Sequence, residues 1–389
     1  MSEKTGQNQI QPLCFALDLT WVRHGIVGGT ESFVCNLLEG FAECVKEQPG
    51  SAEIVLLTAK DNREVFRKYE CREGIRGITC NVLSADRKGR LLWQNLKMGK
   101  MLKKMGITLV LEPVYSKPFL GPKEIRYVTV IHDLLAWHFP EYFSKKRVLW
   151  MKNCWRNTVK TSAQVIAISE YTKQDILAKM PYPGAEVAVI PNPIVISSDS
   201  SGKEVLEHYH VAEKGYYYTV SSQVPHKNLS TLLRAMGILK RKQSTALHPL
   251  LITGVGDGVT GELQQIIKEE QLEDEIRFTG FISDAERNAL YMNCKAFLFP
   301  SIFEGFGMPP IEAMVMQVPV LTTECASIKE MTGGLLNYVA DPKDPAEWAE
   351  RLETELQMPA EQDTVGLLTH YEKRRCAEQY LKCLGEQRL

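Results

Sequence analysis

The chain predicts an α/β protein: two Rossmann-like domains, each with a parallel sheet, facing a central cleft. Three observations carry this. Short apolar runs bounded by turn residues alternate with amphipathic stretches along the whole sequence, the rhythm of strand-helix-strand units. The length of 389 residues exceeds what one core ordinarily fills and suits two domains. Glycine-bearing loops follow several strands, at the position where open parallel sheets gather ligands. The expected divisions are 1–200, 201–370, and a closing helix over 371–389.

Bulk properties narrow the function. A hydrophobic content of 44% with 24% charged residues is ordinary for a globular enzyme, and no apolar run reaches the roughly 18 residues of a membrane span. The opening MSEKTGQNQIQPL lacks the basic start and apolar centre of a signal peptide and reads as a frayed lead-in, so cytoplasmic residence is expected. The ten cysteines include no C-x-x-C pair, which speaks against structural zinc and a disulfide framework. Net charge is −1, yet the first 200 residues carry an excess of cations and the remainder an excess of acids. Nucleic acid is not expected as a partner, because no binding module accompanies the lysines.

In chain order, Pro12–Leu19 reads as a first strand, buried except at Asp18, followed by a loop with Gly28 and Gly29 and a helix for which Thr30 is the expected N-cap. This loop is not the G-x-G-x-x-G of dinucleotide oxidoreductases. Ala52–Thr58 and Thr108–Leu111 are further strands with helical stretches between them. Gly89–Met105 and Ser144–Lys160 form two basic amphipathic helices, the first with Leu92, Leu96, Leu102 and Met105 opposite Lys97, Lys100, Lys103 and Lys104. Two readings stay open for them: they rest on anionic lipid headgroups, a peripheral site on the inner face of the membrane, or they pack on the sheet with their cations in water. Tyr127–Ile131 is a β-branched strand delivering His132 and Asp133 at its C-terminal end. Gln164 begins another strand and helix, N-capped by Ser169. Val187–Ile190 leads to PNPI, and ISSDSSGKE reads as the hinge.

In the second domain Tyr216–Val220 is a strand, and Lys227, at its mouth and just ahead of a helix with Asn228 as expected N-cap, suits phosphate neutralisation. Pro249–Thr253 and Glu275–Gly280 are strands, the latter followed by FISDAERNALYMNC with its own N-cap. The centre of the sequence is FPSIFEGFGMPPIEAMVMQVPV. Lys295–Phe299 is a buried strand stopped by Pro300. Gly305 and Gly307 permit a tight loop, and Pro309 and Pro310 mark a helix from Pro310 to about Met316 whose free N–H groups would hold phosphate oxygens. Glu304 and Glu312 frame that site, and carboxylates beside a phosphate more plausibly accept hydrogen bonds from hydroxyls than face the phosphate. Pro319–Thr322 is a further strand, and Val365–Leu384 the closing helix.

Glu304 and Glu312, with seven residues between them around Gly-Phe-Gly, resemble the signature of retaining glycosyltransferases of family 4, which have the GT-B fold, and the resemblance implies that the closing helix crosses back to the first domain. VIHDLLAWHFPEYF resembles the same family's His-Asp-Leu and Pro-Glu elements, with a leaning to its mannosyltransferase branch. The resemblance implies that Glu304 and His132 approach the transferred sugar and that Glu312 holds the ribose hydroxyls. It also implies that the backbone of Phe306, Gly307 and Met308 contacts the diphosphate, that Gly28 and Gly29 face it, and that the backbone around Ile282 sits against the base. The sequence departs from the pattern at His226, where the family has arginine beside the lysine matched by Lys227, and at Gln317, where a glycine is usual. The expected activity is metal-independent transfer of a hexosyl group, first of all mannosyl from GDP-mannose, to a glycan or lipid-linked acceptor, with no cofactor. A silent nucleotide-sugar-binding subunit and a glycan synthase or phosphorylase remain the alternatives.

Overall fold

The computed structural model describes residues 12–25, 28–195, 202–256 and 258–387. The lead-in before Pro12 and most of the expected hinge lie outside the described residues. The chain forms two compact units, Met1–Pro193 with Tyr371–Leu389, and Ile194–His370.

The first unit is built on seven parallel strands in the order β3-β2-β1-β4-β5-β6-β7. These are β1 (Leu13–Asp18), β2 (Ala52–Thr58), β3 (Ile75–Thr79), β4 (Leu109–Glu112), β5 (Arg126–Ile131), β6 (Gln164–Ala167) and β7 (Val187–Val189). The second holds six in the order β10-β9-β8-β11-β12-β13: β8 (Tyr217–Val220), β9 (Leu250–Thr253), β10 (Ile276–Gly280), β11 (Ala296–Phe299), β12 (Val320–Thr323) and β13 (Asn337–Val339). Every pairing is parallel, as βαβ crossovers require. Strand order reverses between β1 and β4 and between β8 and β11, so crevices open at the C-terminal ends of those strands.

Several local expectations are corrected. β3 and β13 are strands absent from the reading above; both are sheet edges, where IRGIT and NYV offer no continuous apolar run. Asp18 is fully buried: its Oδ1 accepts hydrogen bonds from the Thr20 N–H and hydroxyl at 2.8 and 2.6 Å, and its Oδ2 from the Gln94 amide at 2.5 Å. The glycine loop is capped by Gly28, at φ 56°, and Thr30 lies inside the helix Gly29–Glu47. The first basic helix is three segments, α over Arg87–Trp93, a π turn over Gln94–Met98, and α over Gly99–Lys104. The residue inserted by a π turn shifts the phase of everything beyond it by about 100°. Trp93, Met98 and Leu102 therefore make the buried stripe, while Leu92 and Leu96 face water at 62% and 48% exposure. Pro122 occupies the space a side chain at Gly99 would fill. The second basic helix spans Lys145–Thr161 with Ser144 as its cap. Gln317 holds a left-handed φ of 56°, the conformation that makes glycine usual there.

The closing segment is two helices, Glu361–Leu368 and Lys373–Gly385, broken by a 3-10 turn at Thr369–Tyr371. The second belongs to the first unit, packed along Gly29–Glu47 with Tyr380 between Phe33 and Phe41. Gly40 makes this approach possible, since a Cβ there would overlap the Lys373 carbonyl and the Ala377 methyl. No helix among the described residues is long and apolar enough to cross a membrane.

Replacing Gly40 with leucine should cost about 1–3 kcal/mol or more, the range for overpacking, and expose the closing helix to exchange. A urea midpoint and Lys373–Gly385 amide protection equal to wild type would show that the close packing is dispensable.

Candidate active site

The site in the second unit grows from β11. Its four residues are all buried and Pro300 ends it, so the chain enters a loop whose polar groups need partners. Side chains of neighbouring segments supply them. The Thr322 hydroxyl donates to the Phe299 carbonyl at 2.9 Å, Thr323 to the Ser301 carbonyl at 2.6 Å, and Ser327 to the Glu304 carbonyl at 2.9 Å. Ser301 Oγ and the Ile302 N–H donate to the His226 carbonyl at 3.2 and 2.9 Å. The loop is thereby stapled to the 3-10 turn Pro225–Lys227.

That stapling places the Lys227 ammonium 2.6 Å from Glu304 Oε1, 77 residues along the chain, and 5.6 Å above the Phe299 ring. The pair is only part-buried, with 22% and 15% of the side chains exposed, so it is reachable from solvent. Asn228 follows in the left-handed region; its side chain accepts from Thr231 and donates to the Pro342 carbonyl rather than capping a backbone N–H.

The central helix begins two residues before the expected start, at Met308, and runs to Val315 with Gly307 as N-cap at φ 86°. Pro309 and Pro310 then fall inside its first turn. Two of the four donors that a helix start normally offers are missing. The N–H groups of Gly307 and Met308, which donate to no described residue, remain for an anion, and the helix dipole reinforces them. Phe306 is buried beside them.

Glu312 lies just over one turn into this helix and accepts a hydrogen bond from the Tyr291 hydroxyl at 3.0 Å. Arg287, one helical turn before Tyr291, ion-pairs with Asp284 at 2.9 Å, and its Nε is buried without a partner. Desolvation works against the Arg287 charge, yet Glu312, Asp284 and two tyrosines outweigh it and raise its pKa. Neither Arg287 nor Tyr291 was singled out in the sequence, although their i, i+4 spacing in ERNALY puts both on one helix face. Ile282 is half-buried after β10, next to a capping box of Ser283 and Glu286.

His226 is 8% exposed, and burial, helped by the neighbouring Lys227, lowers its pKa to about 4. It is a neutral imidazole near neutral pH and brings none of the charge an arginine would.

In the first unit His132 sits at the end of β5, its ring edge-on to Phe33 at 4.8 Å, beside the helix that Gly28 and Gly29 begin. Its Nε2 donates to the Pro113 carbonyl at 2.8 Å, and burial lowers its pKa to about 4. The neutral ring with Nε2–H leaves Nδ1 as an acceptor. Gly28 and Gly29 are exposed, with open space where side chains would stand. Among the described residues no group of three or more His, Cys, Asp or Glu could hold a metal ion, and all ten cysteines are free thiols.

Two α/β units with all-parallel sheets, and a glycine-loop helix at the end of a central strand, define the GT-B class. Anabaena HepE, solved in complex with UDP, shares this fold at a TM-score of 0.66 and 18% identity, over 96% of this chain and 99% of that one. Residues 27–198 match the profile of Glycosyltransferase Family 4, and residues 200–366 that of Glycosyl transferases group 1. The chain belongs to glycosyltransferase family 4. Among its relatives, O-antigen chain mannosyltransferase B of Escherichia coli is 29% identical over 239 residues, 59% of this chain and 62% of that protein. O-antigen chain mannosyltransferase RfbU of Salmonella typhimurium is 27% identical over 303 residues, 76% and 79% of the two chains.

Histidines neutral in the fold but chargeable when unfolded make stability depend on pH. Between about pH 6.5 and 4 the unfolded chain binds more protons, so stability present above pH 6.5 is lost as pH falls towards 4. The urea midpoint should drop between pH 7 and pH 5, and drop less in His226→Asn. Equal losses in the two proteins would mean that His226 is not held neutral.

Proposed function

We propose that this chain is a retaining hexosyltransferase that moves a mannosyl group from GDP-mannose to a glycan or lipid-linked acceptor in cell-surface polysaccharide synthesis. The observation that carries the reading is the Lys227–Glu304 pair beside the Gly307 and Met308 amides. The names of the O-antigen relatives support mannose as the sugar. A UDP-sugar is the second donor reading, favoured by the UDP bound to HepE.

Cleavage of the anomeric C–O bond builds positive charge on the sugar and negative charge on the departing diphosphate. Groups already oriented towards that developing charge lower the barrier most. Lys227 leaves Glu304 for the diphosphate, the two loop amides and the helix dipole complete the cradle, and the released Glu304 carboxylate accepts hydrogen bonds from sugar hydroxyls. His132 accepts another through Nδ1. Glu312, already an acceptor for Tyr291, takes the ribose hydroxyls. The acceptor attacks on the face from which the diphosphate departs, which retains configuration. With an ammonium, two amides and a helix start sharing the charge, we propose that turnover needs no divalent metal. A silent donor-binding subunit would have no use for a carboxylate poised against the lysine.

Lys227→Ala and Glu304→Gln should each lower acceptor-dependent GDP release from GDP-mannose by roughly 100-fold or more, with wild-type rates unchanged in chelator. Near-wild-type rates in either variant would remove the assigned role, and loss of wild-type activity in chelator with rescue by manganese would overturn metal independence.

We also propose that the first unit rests on the inner membrane surface. Phe119 and Leu120 form an exposed loop tip pinned to the π turn, where Asn95 Oδ1 accepts both of their N–H groups at 2.8 and 3.0 Å. Exposed Leu92 and Leu96 belong to the same helical segment, and Lys97, Lys100 and Lys104 follow them. Lys103 is instead paired with Glu124 at 2.6 Å. Each cation near an anionic surface contributes about 1 kcal/mol. Replacing Lys97, Lys100 and Lys104 with glutamine, together with Phe119→Ser, should release the protein from phosphatidylglycerol vesicles. Unchanged co-sedimentation would sink this docking face.

A further inference from the structure

Beyond the residues already used, the first unit gathers cations where few acids answer them. Arg87 and Arg90 lie one turn apart on the helix Arg87–Trp93, Lys117 follows β4, and Arg147 stands in the first turn of Lys145–Thr161. Arg87 is stacked on the Trp150 ring at 4.1 Å, and Tyr115 meets Trp150 at 6.3 Å between ring centres. Arg87, Arg90 and Arg147 all act electrostatically on the Tyr115 hydroxyl. Among the described residues none of these four cations has a carboxylate within ion-pair distance.

The floor beneath them is unfinished. Glu112 is fully buried at the end of β4, and neither of its carboxyl oxygens has a hydrogen-bond partner. The Arg90 Nε and the Tyr127 hydroxyl are likewise buried and unpartnered. Burial first, and the nearby Asp18 second, hold Glu112 well above the usual carboxylate range. Asp18 and Glu112 both act electrostatically on Arg90, and Glu112 also acts on Lys117. A cavity of about 70 Å³ adjoins this cluster, lined in part by Gln94, Ser116, Lys117 and Trp150. Of its lining, Gln94 donates to Asp18 at the end of β1, and Ser116 and Lys117 follow β4, the two strands between which strand order reverses.

Orphaned buried polar groups under unpaired guanidinium groups call for a guest that is anionic and rich in acceptors. Arginine forks match phosphate oxygens in pairs. Phe119 lines the same cavity, and the exposed apolar tip it forms with Leu120 is hydrogen-bonded to Asn95, the neighbour in sequence of exposed Leu96. The guest therefore carries hydrocarbon next to its phosphate. We propose that Arg87, Arg90, Lys117 and Arg147, around Tyr115 and Trp150, form a site for the phosphate of a lipid-linked acceptor. The assignment rests on the transferase reading above and names the acceptor class for it.

The test is calorimetric titration of the whole protein with farnesyl diphosphate, in saturating GDP so that the donor's phosphate site is filled, against inorganic pyrophosphate and against vesicles of phosphatidylcholine and phosphatidylglycerol. Arg87→Ala with Arg147→Ala, both exposed positions, should weaken farnesyl diphosphate binding at least tenfold while GDP binding and the urea midpoint stay at wild-type values. Arg90→Met alone should do the same. Equal affinity for farnesyl diphosphate in wild type and variants would overturn the site. Pyrophosphate binding as tightly as farnesyl diphosphate would overturn the lipid-linked assignment in favour of free phosphate. Variants that lose only vesicle binding would replace it with diffuse attraction to headgroups. If wild type bound farnesyl diphosphate but no GDP, the donor reading alone would fail.

Discussion

An ammonium and a carboxylate 2.6 Å apart, brought together from positions 227 and 304, set the character of the second unit. Neither lies on a strand or a long helix. Each is on a short connection, and connections hold their shape only when their backbone polar groups are satisfied. Hydroxyls of Ser301, Thr322, Thr323 and Ser327 do this for the loop after β11, three of them bonding to its carbonyls and the fourth, Ser301, to the His226 carbonyl of the other connection. Rigidity is thus supplied by small side chains at the ends of strands, and the charges sit on the outcome.

The same logic explains which amides the helix from Met308 leaves free at its start. A helix start ordinarily offers several N–H groups pointing in one direction. Two consecutive prolines silence the helix side of that set and leave donors on the loop side, at Gly307 and Met308. The left-handed φ of Gly307 turns the chain there, so glycine and the prolines have complementary jobs: one lets the backbone bend, the others restrict which amides can speak.

Most of the architecture was legible because parallel sheets bury both faces and write nearly unbroken apolar runs, as in AEIVLLT and KAFLF. The edges β3 and β13 escaped because an edge strand needs less apolar cover. Helix ends slipped where the deciding event was not local: the π turn at Gln94 goes with an amide that reaches Asp18, 76 residues away. For the site, the residue types and their spacing showed in the sequence, but the pairing of Lys227 with Glu304 did not. Arg287 and Tyr291 were overlooked because a helix face reads first as packing, and only the fold turns that face towards Glu312.

The return of Lys373–Gly385 to the first unit bears on how the protein is made. Phe33 and Phe41 wait for Tyr380, which leaves the ribosome only after the entire second unit has been synthesised. The second unit is continuous in sequence and can close as it emerges, whereas the one begun earlier stays open along an aromatic seam. Nascent chains of this protein therefore carry a sticky, half-finished surface for most of translation, and the piece finished last seals the piece started first.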